Sequence, residues 1–75
     1  MAEVITLTRT PVQITDGTNS AHVKVTDGFA EYADAADSPA WIRADNTVNI
    51  YSPWVVWMRV NTGTEAKATV MKLAD

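Results

Sequence analysis

The chain lacks cysteine altogether and holds one histidine, three glycines and three prolines among its 75 residues. Without cysteine it forms neither disulfides nor thiolate metal sites, and a single histidine excludes a multi-histidine metal site. A domain this small buries only about 60% of the surface that its unfolded chain exposes, so it usually needs an added stabiliser. Because disulfides and such metal sites are excluded, the stabiliser that we expect is oligomerisation or attachment to a larger body.

Positive charge is also scarce, with six Lys and Arg residues against nine acids and a net charge of −3. No basic run is available to neutralise phosphates, so nucleic acid is not an expected partner. No stretch approaches the roughly 20 apolar residues of a transmembrane helix, so no membrane partner is expected. The N-terminal Met1-Ala2-Glu3 has an acid where a secretion signal has positive charge, which predicts that the chain is not exported by that route.

The sequence contains no recognisable catalytic constellation. His22 lies in the middle of a predicted strand without a neighbouring nucleophile, and is interpreted as an ordinary outward-facing residue. Asp34, Asp37 and Asp45 lie in loop sequence and are interpreted as part of a solvated acidic face rather than a glycosidase pair. No Gly-rich phosphate loop and no calcium-loop spacing occurs. We therefore predict a non-enzymatic protein with no cofactor and no metal site.

What the chain does have is a high content of β-branched residues. Val, Ile and Thr (9, 4 and 10 residues) make up 23 of the 75, whereas leucine occurs only twice. Such side chains pack well on a pleated surface and favour strands. Several short alternating segments are separated by polar turns, which predicts one all-β domain over residues 1–75. The expected fold is a small antiparallel β-sandwich or barrel of six to eight short strands.

The order of the segments predicts mainly hairpin connections. After a first strand at residues 3–8, residues 12–15 and 20–26 are expected to pair across a turn at 16–19, placing Ile14 opposite Ala21. Asp27-Gly28 is a strong type I′ hairpin signal, because both central residues of that turn need positive φ. It predicts that Lys24 pairs with Glu31. The Ala- and Asp-rich stretch at 33–40 is expected to be an exposed loop.

Residues 54–60 and 65–71 are predicted to form the last hairpin, with a three-residue loop at 62–64. One face of that hairpin would be wholly apolar and belong to the core. Its expected opposed pairs are Val60 with Ala66, Met58 with Ala68, and Val56 with Val70. The same register places Arg59 opposite Lys67, which is an unfavourable like-charge pair.

The aromatic residues are the most informative feature of the sequence. If the apolar face of the last hairpin is core, alternation sends Trp57 and Arg59 to the opposite face. Aromatic, Met and Arg side chains are enriched at protein interfaces and hot spots. The residues predicted to bind a partner are Tyr51, Trp54, Val55, Trp57, Arg59 and Met71. One alternative is that Trp57 belongs to a second core layer. Another is that the rings stack on sugars, with Asn49 and Asn61 as polar neighbours.

Two segments give the chain a resemblance to a known class of proteins: Pro11-Val-Gln-Ile-Thr-Asp-Gly-Thr-Asn-Ser-Ala-His-Val and Tyr51-Ser-Pro-Trp-Val-Val-Trp-Met-Arg-Val. In style it resembles the small accessory virion proteins of tailed bacteriophages, which are short, cysteine-free β-proteins that decorate or cement the capsid or sit in the tail. The resemblance implies a structural role in the virion after synthesis in the host cytoplasm. It also implies many copies per particle and contact with a capsid or tail protein, or with copies of itself. The alternative is a carbohydrate-binding or adhesion module of a tail fibre or spike.

Overall fold

The computed structural model describes residues 2–44 and 46–74, and over those residues it contains strands and no helix. Asp45, which is predicted from the sequence to belong to a solvated acidic face, lies outside the described residues. Six strands follow one another along the chain. They are β1 (Ala2–Leu7), β2 (Val12–Asp16), β3 (Asn19–Ala33), β4 (Ile42–Ala44), β5 (Thr47–Ile50) and β6 (Val55–Ala74). The all-β prediction is confirmed, but β3 and β6 are long strands of 15 and 20 residues.

All pairing in the sheet is antiparallel and centres on the two long strands. β3 and β6 pair with each other along most of their length. β1 and β2 follow one another along the outer side of β6, while β5 and β4 flank β3 on its other side. The sheet curls into a half-barrel whose concave side holds the core.

The hairpin predicted at Asp27-Gly28 does not form, and the prediction that Lys24 pairs with Glu31 is wrong. β3 continues through both residues, and β6 supplies the partners on either side of them. Gly28 does have the positive φ of +77° that the hairpin required. This positive φ occurs at an irregular bend of β3, where the pairing register shifts before and after Phe29.

The hairpin predicted for the last third of the chain is also wrong, because residues 55–74 form one strand that pairs with β3. Arg59 lies opposite Glu31, and Lys67 lies opposite Asp27. The predicted Arg59–Lys67 repulsion is therefore replaced by two pairs of opposite charge.

The predicted pairing of residues 12–15 with 20–26 is wrong as well. β2 pairs with the start of β6, so that Val12 lies opposite Met58 and Asp16 opposite Val55. Ile14 and Ala21 are nevertheless both buried in the core, as the alternation of their strands predicts. The loop predicted at 33–40 is confirmed over residues 34–40 as a series of bends and turns, whereas Ala33 is buried as the last residue of β3.

The apolar face predicted for residues 56–70 is confirmed as the centre of the core. The six residues concerned are at most 4% exposed: Val56, Met58, Val60, Ala66, Ala68 and Val70. Side chains of β3 and of the flanking strands complete the cluster, among them Leu7, Val23 and Ile50. The bend at Gly28 allows both halves of the long strands to turn their apolar faces toward this one core.

Candidate functional site

The structure divides the six predicted partner-binding residues among four places. Tyr51 and Trp54 lie on the loop between β5 and β6, beside the concave mouth of the half-barrel. Trp57 and Arg59 lie on the convex face of the first part of β6. Met71 lies on the convex face near the other end of β6, opposite His22, and Val55 pairs with Asp16 at the start of the strand. The six therefore do not form a single continuous face.

Tyr51 and Trp54, which we call the aromatic rim, are 67% and 66% exposed. Hydrogen bonds hold the loop that presents them. Ser52 Oγ donates to the Gly17 carbonyl at 3.2 Å, and the Ser52 amide donates to Ser20 Oγ at 3.3 Å. The Trp54 amide donates to the Tyr51 carbonyl at 3.0 Å, and the Ser52-Pro53 peptide is cis. The two rings are thus exposed on a loop with a defined backbone.

The buried hydroxyl of Thr15 fixes the position at which this loop enters β6. Thr15 is 1% exposed, and its Oγ1 donates to the Trp54 carbonyl at 2.9 Å. The same oxygen accepts from the Val56 amide at 3.1 Å. It bridges two backbone groups where the β2–β6 register is irregular, between Gln13 and Thr15. The backbone of Trp54 is therefore anchored from inside the half-barrel.

A cleft with two adjoining lobes, of about 320 and 310 Å³, opens beside the aromatic rim. Tyr32, Trp54 and Val56 line both lobes. The remaining lining is largely apolar and includes Ile42 and Ile50, while Asp34 and Ser38 are polar residues of the lining. The cleft therefore combines an aromatic edge, an apolar floor and a few polar groups, as ligand and partner sites commonly do.

On the convex face, Arg59 is held by contacts within the protein. Its Nη2 lies 3.3 Å from Glu31 Oε2, and its guanidinium lies 4.0 Å above the Trp41 ring centroid. Trp41 in turn donates its indole N–H to the Ser38 carbonyl at 2.8 Å. Trp57 on the same face is half-buried, opposite Gln13 and Ala33. Arg59 and Trp41 thus already have partners within the protein. This face therefore offers a partner fewer available side chains than the aromatic rim does.

Sequence reasoning missed Tyr32, Ile42 and Trp41 as parts of these surfaces. The sequence pattern places Tyr32 in a hairpin that does not form, and its position between Met58 and Ile42 follows only from the long-strand pairing. Ile42 faces the concave side yet is 61% exposed, on a strand where the sheet ends. Alternation places a side chain on a face, but it does not show where the sheet ends.

Within residues 2–44 and 46–74, no group of three or more His, Asp or Glu side chains is placed to hold a metal ion. His22 Nδ1 is in hydrogen-bond contact with Asn49 Oδ1 on the neighbouring strand. The same ranges contain no helix that is long and apolar enough to cross a membrane.

The surroundings of Asp16 change the titration of its carboxyl group. Thr18 Oγ1 donates to Asp16 Oδ1 at 2.6 Å, and the Thr18 amide donates to the same oxygen at 3.0 Å. These hydrogen bonds, the side-chain one foremost, lower the pKa of Asp16 below its ordinary value. The arrangement is that of a turn in which an aspartate bonds the backbone two residues on, which gives it a structural role.

Comparison with known proteins finds no family model, no curated protein and no solved structure that matches the chain. We therefore infer a function from the geometry of the aromatic rim and the cleft.

Proposed function

We propose that the protein is a non-enzymatic structural component of a bacteriophage particle, of the capsid-decoration or cement type. In this proposal it is made in the host cytoplasm, joins the virion, and binds a capsid or tail subunit through the aromatic rim. The observation that supports it best is the pair of rings, each about two-thirds exposed, on a loop held by hydrogen bonds. Rigid aromatic side chains beside a cleft are typical of binding hot spots. The resemblance of the sequence to accessory virion proteins supports the virion setting.

The aromatic rim is a better candidate than the convex face around Trp57. A partner that covered Arg59 would compete with its contacts to Glu31 and Trp41. By contrast, covering Trp54 would remove from water a large apolar ring that is two-thirds exposed. Burial of an aromatic ring of this size stabilises an interface by about 1.5–3 kcal/mol. We therefore assign the main binding energy to Trp54, with Tyr51 beside it.

Incorporation of variants into particles tests this assignment. We expect Trp54→Ala to reduce incorporation at least roughly tenfold, corresponding to a loss of about 1.4 kcal/mol or more. Trp57→Ala, a matched tryptophan on the convex face, should incorporate at close to the wild-type level once its folding has been checked by circular dichroism. Copy number per purified particle is measured by quantitative mass spectrometry. Normal incorporation of Trp54→Ala would contradict the proposal.

A second candidate function is carbohydrate binding, as in an adhesion module of a tail fibre or spike. The observation in its favour is that Asp34 and Ser38 line the cleft together with Trp54, so polar residues lie near an exposed ring. Sugar sites combine a stacking platform with such hydrogen-bonding groups. Titration of tryptophan fluorescence with oligosaccharides discriminates the two functions. A saturable change that Trp54→Phe alters and Trp57→Phe leaves unchanged would favour the sugar, while silence would favour the protein partner.

A further inference from the structure

The half-barrel has two outer edges, and they differ in their ability to accept another strand. One edge consists of β1 and β2 along β6, and the other consists of β4 and β5 along β3, which we call the β4–β5 edge. In the described residues neither edge is paired on its outer side. An edge of this kind can pair with another chain unless it is blocked.

The β1–β2 edge is blocked by three features. Glu3 pairs with the buried Val70, so an acid lies on the concave side of this edge. Pro11, which has no amide N–H, lies between the two strands. The register also shifts between Gln13 and Thr15. Inward charges, prolines and bulges are the devices by which proteins prevent pairing at an edge.

The described residues of the β4–β5 edge contain neither an inward-facing charge nor a proline, and the change of register between β4 and β5 comes from extra residues in β3. The side chains that face the concave side are all apolar: Ile42, Ala44, Val48 and Ile50. Ile42 is the most exposed of them, at 61%. A further strand at this edge would extend the apolar concave face and cover Ile42.

The backbone of β5 is oriented to accept such a strand. The Val25 amide donates to the Asn46 carbonyl at 2.8 Å, so Asn46 belongs to a hydrogen-bonded pair with β3. In an antiparallel ladder such pairs alternate with pairs that do not exchange hydrogen bonds. Thr47 and Asn49 follow Asn46 by one and three residues, so each belongs to a pair that exchanges no hydrogen bonds with β3. Their N–H and C=O groups therefore point away from β3. These groups are available to a strand on the outer side.

We propose that the β4–β5 edge pairs antiparallel with the same edge of a second copy of this chain, about a two-fold axis that passes beside Asn46. The edge is self-complementary in that register. Ile42 lies opposite Ile50 of the partner subunit on the concave side. Arg43 lies opposite Asn49 of the partner subunit on the convex side. No like charges meet among these residues, and the symmetric contact closes as a dimer.

The alternative ways to pair two copies are less favourable. Joining the β4–β5 edge to the β1–β2 edge would place Glu3 against the apolar concave row and would leave an open, head-to-tail array. Joining two β1–β2 edges would bring together two blocked edges. The self-pairing of the β4–β5 edge avoids both problems. It does not rest on the virion role proposed above, although Ile42 also lines the cleft beside the aromatic rim.

Sedimentation velocity over micromolar to millimolar concentrations tests the dimer with two matched variants. Ile42→Lys puts a charge on the concave side of the β4–β5 edge, at a residue that is already 61% exposed, so the monomer should remain folded. We expect it to raise the dimer dissociation constant roughly tenfold or more. Val4→Lys changes a similarly exposed apolar residue on β1 and should leave the dimer unchanged.

A second pair of variants separates backbone pairing from side-chain effects. Asn49→Pro removes the N–H that points away from β3, whereas Asn49→Ala removes only the side chain and its contact with His22. We expect Asn49→Pro to weaken the dimer and Asn49→Ala to retain it, with folding of both followed by circular dichroism. A wild-type protein that stays monomeric throughout, or a dimer that Ile42→Lys and Asn49→Pro do not weaken, would overturn the proposal. Equal weakening by Val4→Lys would also overturn it.

Discussion

At the scale of single residues, Thr15 is the clearest link between the core and the aromatic rim. Its buried hydroxyl bonds both the Trp54 carbonyl and the Val56 amide. We expect Thr15→Val, which keeps the shape and removes the hydroxyl, to lower the free energy of unfolding by about 1–3 kcal/mol, because two buried backbone groups lose their partner. Chemical denaturation monitored by circular dichroism measures the effect.

The matched control for this prediction is Thr6→Val. Thr6 is an exposed residue of β1, so losing its hydroxyl should change the free energy of unfolding by less than about 0.5 kcal/mol. Thr15→Val should also alter the amide chemical shifts of the loop that carries Trp54. An equal, small effect of the two substitutions would show that Thr15 does not anchor the aromatic rim.

The Asp16 turn leads to a pH-dependent prediction at the same scale. Because hydrogen bonds from Thr18 lower the pKa of Asp16, the turn contributes its full stability above the unfolded-state pKa of that carboxyl. The contribution is lost as the pH falls through the lower, folded-state pKa. Thr18→Val removes the side-chain donor and should move the pKa of Asp16 up toward its ordinary value, as measured by NMR titration of the carboxyl carbon. An unchanged pKa would contradict the assignment.

At the scale of the strands, Gly28 determines how tightly β3 bends against β6. A Cβ at this position would lie 3.0 Å from the Cβ of Ala66 and 3.0 Å from the Glu65 carbonyl oxygen, at a φ of +77°. Gly63 has a similar φ of +84°, but a Cβ there would meet no other atom within 4 Å. A side chain would therefore meet similar backbone strain at either glycine. The two positions differ only in the space around the added Cβ.

This difference predicts unequal effects of the same substitution. Gly63→Ala should lower the free energy of unfolding by about 1–2 kcal/mol, the cost of a left-handed conformation with a side chain. Gly28→Ala should cost roughly 1–3 kcal/mol more, because it adds steric overlap at the bend. Thermal and chemical denaturation of both variants provide the measurement. If the two cost the same, β3 and β6 do not approach each other closely at Gly28.

The inward and outward faces of the strands could be predicted from sequence, but their partners could not. Val60 and Ala66 face inward whether residues 55–74 form a hairpin or one bent strand, because alternation depends only on the local chain. Gly28 and Gly63 have positive φ within long strands, the same property that a hairpin turn requires. Local signals therefore fit both topologies, and the choice depends on contacts between residues far apart in sequence.

Pairing between the long strands has a direct NMR signature. The Val25 amide bonds to Asn46, so the N–H and C=O groups of Val25 point toward β5, and those of Val23, two residues away, do the same. Val23 and its β6 partner Val70 therefore form a pair without mutual hydrogen bonds. The Cα atoms of such a pair are only about 4.5 Å apart. We predict a strong Hα–Hα nuclear Overhauser effect between Val23 and Val70. A strong effect between Val56 and Val70 instead would favour the hairpin.

The candidate site was only partly predictable for the same reason. The residue types were informative, since Tyr51 and Trp54 are among the most exposed large apolar side chains. The sequence-based prediction groups Tyr51 and Trp54 with Trp57 and Met71, which would be correct only if all four lay on one flat outer face. The curl of the sheet and the separate loop between β5 and β6 place these residues on different surfaces.

At the scale of the whole molecule, the half-barrel is small and open on one side. Its extents are 34 × 26 × 18 Å, and one cluster of buried residues forms its core. Ile42 and the aromatic rim lie where the barrel does not close. Association through this region would add the apolar burial that a chain of this size needs. We therefore regard binding and stability as coupled, with the partner covering what the monomer leaves exposed.

Site-specific photo-crosslinking in assembled particles tests the central claim, that the aromatic rim contacts a partner subunit. A benzophenone side chain is placed at residue 54 in one variant and at residue 57 in a matched variant, and cross-linked products are identified by mass spectrometry. We predict a cross-link from position 54 to a capsid or tail protein and little or none from position 57. Cross-links from position 57 alone, or absence of the protein from purified particles, would contradict the claim.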